Sequence, residues 1–446
     1  MAPALRRCLG PVAVTAQAVG TVGLTLTAVF NIPEAMRTAG EATWISYGLA
    51  LVLMLLVGET LVLFRHLPGS SNGIAAYVAA GLGPRTGAVA SWMLLLGYGA
   101  ILMICLVFFG DFLEQLLQHL GWHGPRLVAY LLGGVGCLEL TRRDVQLSTR
   151  TMLVTETISA LIILAITLLI VRDGWGVSDL RALNPMADSA AQVRSGLMVA
   201  VLSFLGFESA ANLGREALDP DRAVPIGIRI ALVLAGGLFM VWGAFLPEGL
   251  GWLPEAARQG LDPLSALAEQ LGRPGAGLWI KAGAVLCLFG SCLGSLTALT
   301  RLAYGLAEQR LLPSQLARVH PRYGTPAAAL LALGVPLVLG GALVVSLNLT
   351  INQVFALFGG FTVLGFLLVY GLVAVSSLCV ELPGASRLRR YLVGGTCLVA
   401  VTGMVTAYLC GVVGSQNRML LTFVVLVLLG VVRALRMRPR SALELS

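Results

Sequence analysis

Two acidic side chains stand inside long apolar stretches of this sequence, where a charge is costly. A charged residue at the centre of a membrane helix costs about 2.5–3.5 kcal/mol on insertion scales, so each one calls for an account. Glu208 is the leading candidate for proton coupling or an inner gate, and its alternative role is a hydrogen-bonded acid that holds a break in a helix. Glu156 shares a helix face with Ser159, three residues on, and is a second candidate protonation site.

Two of the apolar stretches contain residues that break helices. Residues 17–33 include Gly20, Gly23 and Pro33, with threonines and amides where a simple anchor would have leucine and valine. Residues 202–212 carry a glycine next to the Phe-Glu pair that contains Glu208. Glycine weakens a helix by about 1 kcal/mol relative to alanine, and proline removes a backbone donor. Unwound backbone at membrane depth is tolerated only where it lines a cavity or packs inside protein.

Such breaks are suited to holding a free amino acid. The N–H groups at the start of a half-helix attract a carboxylate, and the carbonyl groups at the end of one attract an ammonium. Interrupted segments in corresponding positions of two halves are the best sequence indication of a transporter's binding site. The alternative for Gly20 and Gly23 is close packing between membrane helices.

The elements that position these residues are membrane-spanning helices. Of 446 residues, 57% are hydrophobic and 12% charged, whereas soluble domains average about 25% charged. Apolar runs long enough to cross a hydrocarbon core of roughly 30 Å recur along the chain. Hydropathy predicts twelve spans, so that the two broken segments are spans 1 and 6, five apart, as a five-plus-five inverted repeat requires. The spans are 12–36, 44–64, 87–112, 125–140, 150–171, 194–213, 226–247, 277–299, 326–346, 351–377, 391–412 and 418–435.

The net charge of +8 is explained by basic loops on one side of the membrane, so we expect no nucleic-acid partner. With a cytoplasmic N-terminus, 21 of the 30 basic residues fall on the cytoplasmic side and 9 on the other. The positive-inside rule therefore predicts a multi-pass protein of the inner (plasma) membrane with both termini in the cytoplasm. Lys281, near the outer end of span 8, is expected to reach the interface with its ammonium group.

Enzyme and channel functions lack their usual signals in the sequence. Within the predicted spans no GxSxG or HExxH motif is present, and the eight cysteines show no metal-ligand spacing, so we expect no catalytic residues, cofactor or metal. No filter-like repeat indicates a channel. We expect a structural role for Glu59. Tyr98 and Tyr370 are candidates for lining the cavity, but we expect them to face lipid or to pack in the core.

Three segments resemble the amino acid–polyamine–organocation permease superfamily. Residues 215–225, REALDPDRAVP, resemble its EE-x-x-NP-x-R-x-x-P loop after helix 6. Residues 68–77, PGSSNGIAAY, are similar to its P-x-x-GG-x-Y-x-Y loop after helix 2. Residues 300–326, with TRLAYG at the start and HPRYGTP at the end, resemble its helix 8–9 connection. The three motifs stand in the family's order and at its topological positions.

The resemblance implies an all-α fold of the LeuT type, with two inverted five-helix repeats and two extra helices. A single permease domain would then cover 1–446, with repeats at about 12–171 and 194–377 and extra helices at about 391–435. Substrate would bind between helices 1, 3, 6, 8 and 10, and one bundle would rock against the rest. The family's GSGIF motif falls on residues 26–30, where both glycines are replaced. The break is therefore expected at 23–25.

The predicted function is secondary active transport of amino acids by alternating access. Leu202 and Leu299 replace tryptophans of arginine-carrying relatives, and no extra central acid is evident, which favours neutral or apolar substrates. The lysine that proton-coupled relatives have near Ser159 is absent, so proton coupling and exchange both stay open. The alternatives are a transporter of another small amine or organic cation and a non-transporting membrane sensor. The predicted substrate-binding residues are Gly23, Leu24, Thr25, Thr27, Ala28, Leu202, Ser203, Leu205 and Gly206, with Glu208 and Glu156 for coupling or gating.

Overall fold

The computed structural model describes residues 5–174, 190–258, 260, 262–412 and 417–436. Within these ranges the chain folds into helices and the turns that join them, with one isolated β-bridge and no β-strand. The helices of eight residues or more are α1 Pro11–Val22, α2 Ile32–Ala39, α3 Thr43–Leu63, α4 Ile74–Leu82, α5 Pro84–His119, α6 Arg126–Arg143, α7 Val145–Gly174, α8 Ala190–Phe204, α9 Pro220–Gly251, α10 Pro263–Gln270, α11 Ala276–Glu308, α12 Val335–Ser346, α13 Ile351–Cys379, α14 Arg387–Val412 and α15 Asn417–Arg436.

Each of the twelve predicted spans coincides with a helix or a broken pair of helices. In the described residues, ten stretches are long and apolar enough to cross a membrane. The first, Pro11–Leu63, covers two predicted spans. The predicted span 125–140 corresponds to α6, which is not among the ten because its 18 residues include four charged side chains, Arg126, Glu139, Arg142 and Arg143.

The first membrane segment is interrupted close to its middle. Helix α1 ends at Val22, and Gly23 takes a left-handed conformation with φ of 69°. A helical turn, Leu24–Leu26, and a π-helical turn, Thr27–Asn31, lead into α2. Pro33 lies in the first turn of α2, and the wide π turn precedes it because proline has no N–H for a regular helical bond.

The segment that corresponds to span 6 is interrupted in the same manner. Helix α8 ends at Phe204, and Gly206 has a φ of 113°, a conformation that favours glycine because it has no Cβ. A 3₁₀-helical stretch, Phe207–Leu213, follows, and α9 begins at Pro220. Glu208 therefore lies in the first turn after the break.

Helices α5 and α11 form the centre of the bundle, where they pack on each other and on α7 and α13. In the most apolar window of α5, 94% of the residues are buried, compared with 22% in Met419–Arg436. The last helix therefore presents most of its surface to lipid. The N-terminal segment, Arg301 and the loop after Leu213 lie on one face of the bundle, which we call the N-terminal face.

Lys281 does not reach the interface, so that expectation was wrong. Its side chain is buried, and its ammonium lies 3.3 Å from a carboxylate oxygen of Asp262. The reason is the short helix α10, which packs against α11 and covers Lys281. Asp262 also caps α10 by accepting a hydrogen bond from the Ser265 amide. A buried lysine with a carboxylate partner needs no contact with bulk water.

Candidate substrate and gating site

The two broken segments touch each other inside the bundle. A Cβ atom on Gly206 would lie 2.7 Å from Thr21 Cγ2 and 2.9 Å from the Thr21 carbonyl carbon. A Cβ atom on Gly294 of α11 would also fall within 3.1 Å of Thr21. Only glycine leaves room for these approaches. Three elements therefore meet at Thr21, two residues before the break at Gly23.

Buried polar side chains fasten this contact. Gln17 Nε2 donates to the Gly294 carbonyl at 2.9 Å, and Ser209 Oγ donates to Thr21 Oγ1 at 3.0 Å. Thr21 Oγ1 in turn donates to the Gln17 carbonyl at 2.7 Å. These bonds satisfy polar groups that would otherwise be costly in the core. They also tie the first half of span 1 to the turn after the second break.

Glu208 is held by three hydrogen-bond donors from three elements. The hydroxyl groups of Tyr98 on α5 and Tyr370 on α13 each donate to a different carboxylate oxygen at 2.7 Å. The backbone N–H of Gly206 donates to Oε2 at 3.0 Å. Asn212 Nδ2 supports the arrangement by donating to the Tyr98 oxygen at 3.3 Å. Both carboxylate oxygens of Glu208 thus have hydrogen-bond donors.

The opposite side of the first break faces α7 and α11. Thr25 Oγ1 donates to Ser159 Oγ at 2.9 Å, and the Leu26 amide donates to Cys287 Sγ at 3.4 Å. A Cβ atom on Gly23 would lie 2.5 Å from Ser291 Oγ, so α11 packs directly on the left-handed turn. The polar groups of this turn are therefore shared between two neighbouring helices.

Glu156 also faces this break, but its environment is unlike that of Glu208. It is buried, with 2% of its surface exposed, and neither carboxylate oxygen has a hydrogen-bond partner of normal geometry. The Leu24 amide and the Cys287 thiol lie alongside it without reaching that geometry. The hydroxyl of Ser291 is likewise buried without a partner.

The predicted site residues do not all gather at one point. Gly206 lies at the meeting point of the breaks, beside Glu208. Gly23 and Thr25 face α11 and α7 on the other side of the first break, and Leu24 lies beside Glu156 there. Thr27 and Ala28 are buried in the π turn, where Thr27 Oγ1 accepts from Asn31 at 3.4 Å. Residues 202–205 belong to or adjoin the end of α8. There Ser203 is hydrogen-bonded to Tyr47 of α3 at 3.0 Å, Leu205 is buried, and Leu202 is partly buried and approaches α13 at Gly359.

The sequence alone did not reveal the hydrogen-bond partners of Glu208 or the side chains of α11 that face the first break. Tyr98 and Tyr370 were expected to pack, yet both bind Glu208. Cys287 and Ser291 were not singled out, although they lie one helical turn apart on the face of α11 toward the break. The available signal was the presence of hydroxyl and thiol groups in apolar spans, which by itself does not say what they face.

Two ion pairs join α11 to the loop after the second break on the N-terminal face. Arg301 binds Glu216 through two hydrogen bonds of 2.5 and 3.1 Å, and the two side chains are only 2% and 1% exposed. Arg215 pairs with Glu308, which also accepts from the Tyr304 hydroxyl at 2.5 Å. These four charged residues fall in two of the three segments that resemble the permease family, 215–225 and 300–326.

The N-terminal segment is attached to the same loop. The amides of Cys8 and Leu9 both donate to the Glu216 carbonyl at 2.9 Å, and Leu9 forms the isolated β-bridge with Ala217. Leu9 is fully buried, and Gln146 of α7 donates to the Cys8 carbonyl at 2.9 Å. The segment thereby spans from the loop after span 6 to α7.

The family is decided by a match along almost the whole chain. The amino acid permease family profile matches residues 9–431, which include both breaks and both buried glutamates. This chain belongs to the amino acid permease family. The resemblance to amino acid permeases seen in the sequence is therefore confirmed. The relatives are named as transporters and permeases, which agrees with the expectation that the protein is not an enzyme.

The names of relatives in this family mention different substrates. The chain is 27% identical over 411 residues to the human cationic amino acid transporter 4, covering 86% of this chain and 61% of that protein. It is 24% identical over 328 residues to a branched-chain amino acid permease of Bacillus subtilis, covering 69% of this chain and 68% of the permease. The chain thus spans about three-fifths of the length of the human relative.

The fold is shared with a solved transporter of very different sequence. The structure of MhsT in complex with L-phenylalanine superposes with a TM-score of 0.63 at 12% identity, covering 91% of this chain and 99% of that one. This likeness confirms the predicted fold class, an all-α membrane protein of the LeuT type. The boundaries assigned to the two repeats stay a prediction.

Proposed function

We propose that this chain is a secondary active transporter that moves amino acids across the membrane by alternating access. The observation that carries the proposal is the direct contact between two broken helices. Gly23 and Gly206 both take left-handed conformations, and Gly206 packs against Thr21, two residues from Gly23. Backbone groups of two half-helices are thus available at one place inside the bundle.

The breaks offer complementary partners for the charged ends of an amino acid. The N–H groups that follow Gly23 begin a new helical segment and suit the substrate carboxylate. The carbonyl groups at the ends of α1 and α8 suit the substrate ammonium. The proposed substrate-binding residues remain Gly23, Leu24, Thr25, Thr27, Ala28, Leu202, Ser203, Leu205 and Gly206.

Neutral, apolar amino acids are the proposed substrates. A cationic side chain would need a free acidic partner on the side of α5, α8 and α13, but Glu208 there is already bound by two tyrosines and an amide. Leu202, Leu205 and Leu299 present hydrocarbon instead. The branched-chain permease is therefore the more informative of the two relatives for this question.

The N-terminal face is proposed to be cytoplasmic, because 21 of 30 basic residues fall on that side. The Arg301–Glu216 pair and the Arg215–Glu308 pair then close the inner end of the pathway. Glu208 links α5 and α13 to the second break, which makes it a gating residue, and Glu156 is a candidate for proton coupling. Symport with protons and exchange of two substrates are both compatible with this arrangement.

Transport by purified protein in liposomes tests the proposal. We expect counterflow of radiolabelled leucine or phenylalanine, and much weaker counterflow of arginine and lysine, relative to liposomes without protein. A preference for arginine would overturn the neutral substrate class while leaving amino acid transport in place. A broad panel of amino acids with neither flux nor binding would overturn the function, and flux of other amines would then identify the alternative substrate class.

A further inference from the structure

Glu156 is the buried acid whose surroundings call for a ligand. A methyl group on Gly290 would lie 3.3 Å from Glu156 Oε1, which places the carboxylate between α7 and α11. Both oxygens lack a hydrogen-bond partner, and the Leu24 amide is next to them. A buried carboxylate without partners is much less costly neutral than charged. This site therefore takes a proton in the closed arrangement described here.

Because Glu156 lies beside the first break, its protonation affects binding of the substrate carboxylate there. The Leu24 amide lies at the start of the helical segment that follows Gly23, and the proposed function assigns the substrate carboxylate to the N–H groups of this segment. An ionised Glu156 would place a second negative charge beside the same donors. Two carboxylates that share one site resist being charged together.

We infer that Glu156 is the proton-coupling residue, because the amino acid carboxylate can occupy the first break only when Glu156 is protonated. This inference rests on the proposed function and names its coupling ion. Binding of the substrate carboxylate favours uptake of one proton from solution onto a Glu156 oxygen, and release of that proton favours release of the substrate. Substrate and proton therefore travel together, with no lysine needed near Ser159.

The elements packed around Glu156 determine which other groups could titrate beside it. Helix α7 packs against α1, the turn Leu24–Leu26, α6, α9 and α11. The titratable group beside Glu156 on these elements is the Cys287 thiol of α11. Cys287 also accepts from the Leu26 amide at 3.4 Å, so it joins the carboxylate to the break. Glu208 lies at the second break, where two tyrosine hydroxyl groups and a backbone amide already donate to its carboxylate.

The pH dependence of binding tests the inference. With leucine as the probe and the full chain in nanodiscs, the apparent Kd of the wild type should rise about tenfold per pH unit once Glu156 is ionised in the free protein. Adding leucine in a weakly buffered solution should then take up about one proton per substrate bound. A Kd that stays constant between pH 5 and pH 9, together with no leucine accumulation driven by a pH gradient in wild-type liposomes, would overturn the inference and leave the transport function standing.

Variants at position 156 assign the proton to this residue. Glu156→Gln keeps the shape of the protonated acid, so we expect leucine counterflow to persist, with a Kd that changes less than about twofold over the same pH range and no accumulation driven by a pH gradient. Glu156→Asp keeps an ionisable group and should keep the pH dependence, which provides a test if the glutamine variant does not fold. Glu41→Gln, at an exposed position, is the matched control for loss of one negative charge.

The possible outcomes distinguish failure of the Glu156 assignment from failure of the proposed transport function. If the Glu156→Gln variant takes up protons and accumulates leucine along a pH gradient as well as the wild type does, the assignment is overturned. Normal counterflow with lost accumulation supports it. Absence of leucine counterflow and of binding by any amino acid, in the wild type, would overturn the transport function and this inference with it.

Discussion

At the scale of single residues, the two buried glutamates differ in what their neighbours supply. Glu208 receives three hydrogen bonds, two of them from tyrosine hydroxyl groups at 2.7 Å. Glu156 receives none. Glu208 therefore fixes the structure at the second break, whereas Glu156 is the acid that we propose binds a proton. The sequence singled out both acids, because a charge in an apolar span is rare, but could not distinguish their environments.

Removing either tyrosine hydroxyl should weaken the anchor at Glu208. We expect Tyr98→Phe and Tyr370→Phe each to destabilise the protein by about 1.5–3 kcal/mol, since each loses a hydrogen bond to an acidic group. The measurement is thermal unfolding in detergent, together with leucine transport. Tyr130→Phe is the matched control, because its buried hydroxyl donates to the Val338 carbonyl at 2.9 Å and its loss should cost about 1 kcal/mol. Equal effects for all three variants would contradict the prediction.

At the scale of elements, the glycines at the breaks do what no other residue could. Gly23 and Gly206 have φ values of 69° and 113°, where a side chain is strained, and both lie against neighbouring helices. The breaks let backbone groups of two membrane segments face the same small volume. This arrangement depends on close approach as much as on conformation.

Alanine at Gly206 should disturb both properties. Gly206→Ala forces a Cβ to within 2.7 Å of Thr21 and adds a left-handed strain of roughly 1–2 kcal/mol, so we expect a lower melting temperature and at least a tenfold weaker leucine affinity. Gly237→Ala, on a helical surface with nothing within 4 Å, should leave both quantities unchanged or slightly raise stability. A Gly206→Ala variant with normal leucine affinity would show that the break needs no glycine there.

Most of the elements could be predicted from the sequence, whereas several side-chain partners could not. Apolar length determines where membrane helices form, so every predicted span corresponds to a helix or a broken pair. The position of the first break followed from Gly23, which has the required conformational freedom. The partners of Lys281 and Glu208 depend on distant chain segments that fold back beside them, and hydropathy contains no information about these contacts.

At the scale of the whole molecule, closure of the N-terminal face depends on buried charges. Arg301 and Glu216 are almost completely inaccessible and belong to elements that the proposed mechanism moves apart. The N-terminal segment is fixed to the same loop through the Glu216 carbonyl. The state of the gate and the position of this segment are therefore linked.

Loss of one partner in the buried pair should be severe. Glu216→Gln leaves Arg301 buried without a counter-charge, so we expect about 3–5 kcal/mol of destabilisation in thermal unfolding. Glu59→Gln, at a much more exposed pair with Arg229 and Arg389, should cost at most about 1 kcal/mol. A mild effect at Glu216 equal to that at Glu59 would contradict a closed, water-excluding gate.

The Cys8 thiol provides a second measurement on the same variant. Burial raises the pKa of Cys8, and the negative charges of Glu216 and Asp144 raise it further. The thiolate that reacts with maleimide therefore forms at higher pH than for an ordinary cysteine. Removing the Glu216 charge should shift the labelling profile to lower pH and speed labelling at pH 8, in a background with the exposed Cys379 and Cys410 replaced by serine.

In the proposed transport cycle, the Arg301–Glu216 pair also makes water a participant. Each opening of the N-terminal face transfers a guanidinium and a carboxylate from a dry contact into a hydrated space, and each closing strips that hydration away again. Hydration of charged groups carries a large negative entropy, so the balance between the two states depends on temperature as well as on substrate. Under the proposed mechanism, turnover is thereby tied to the activity of water in the compartment that the gate faces.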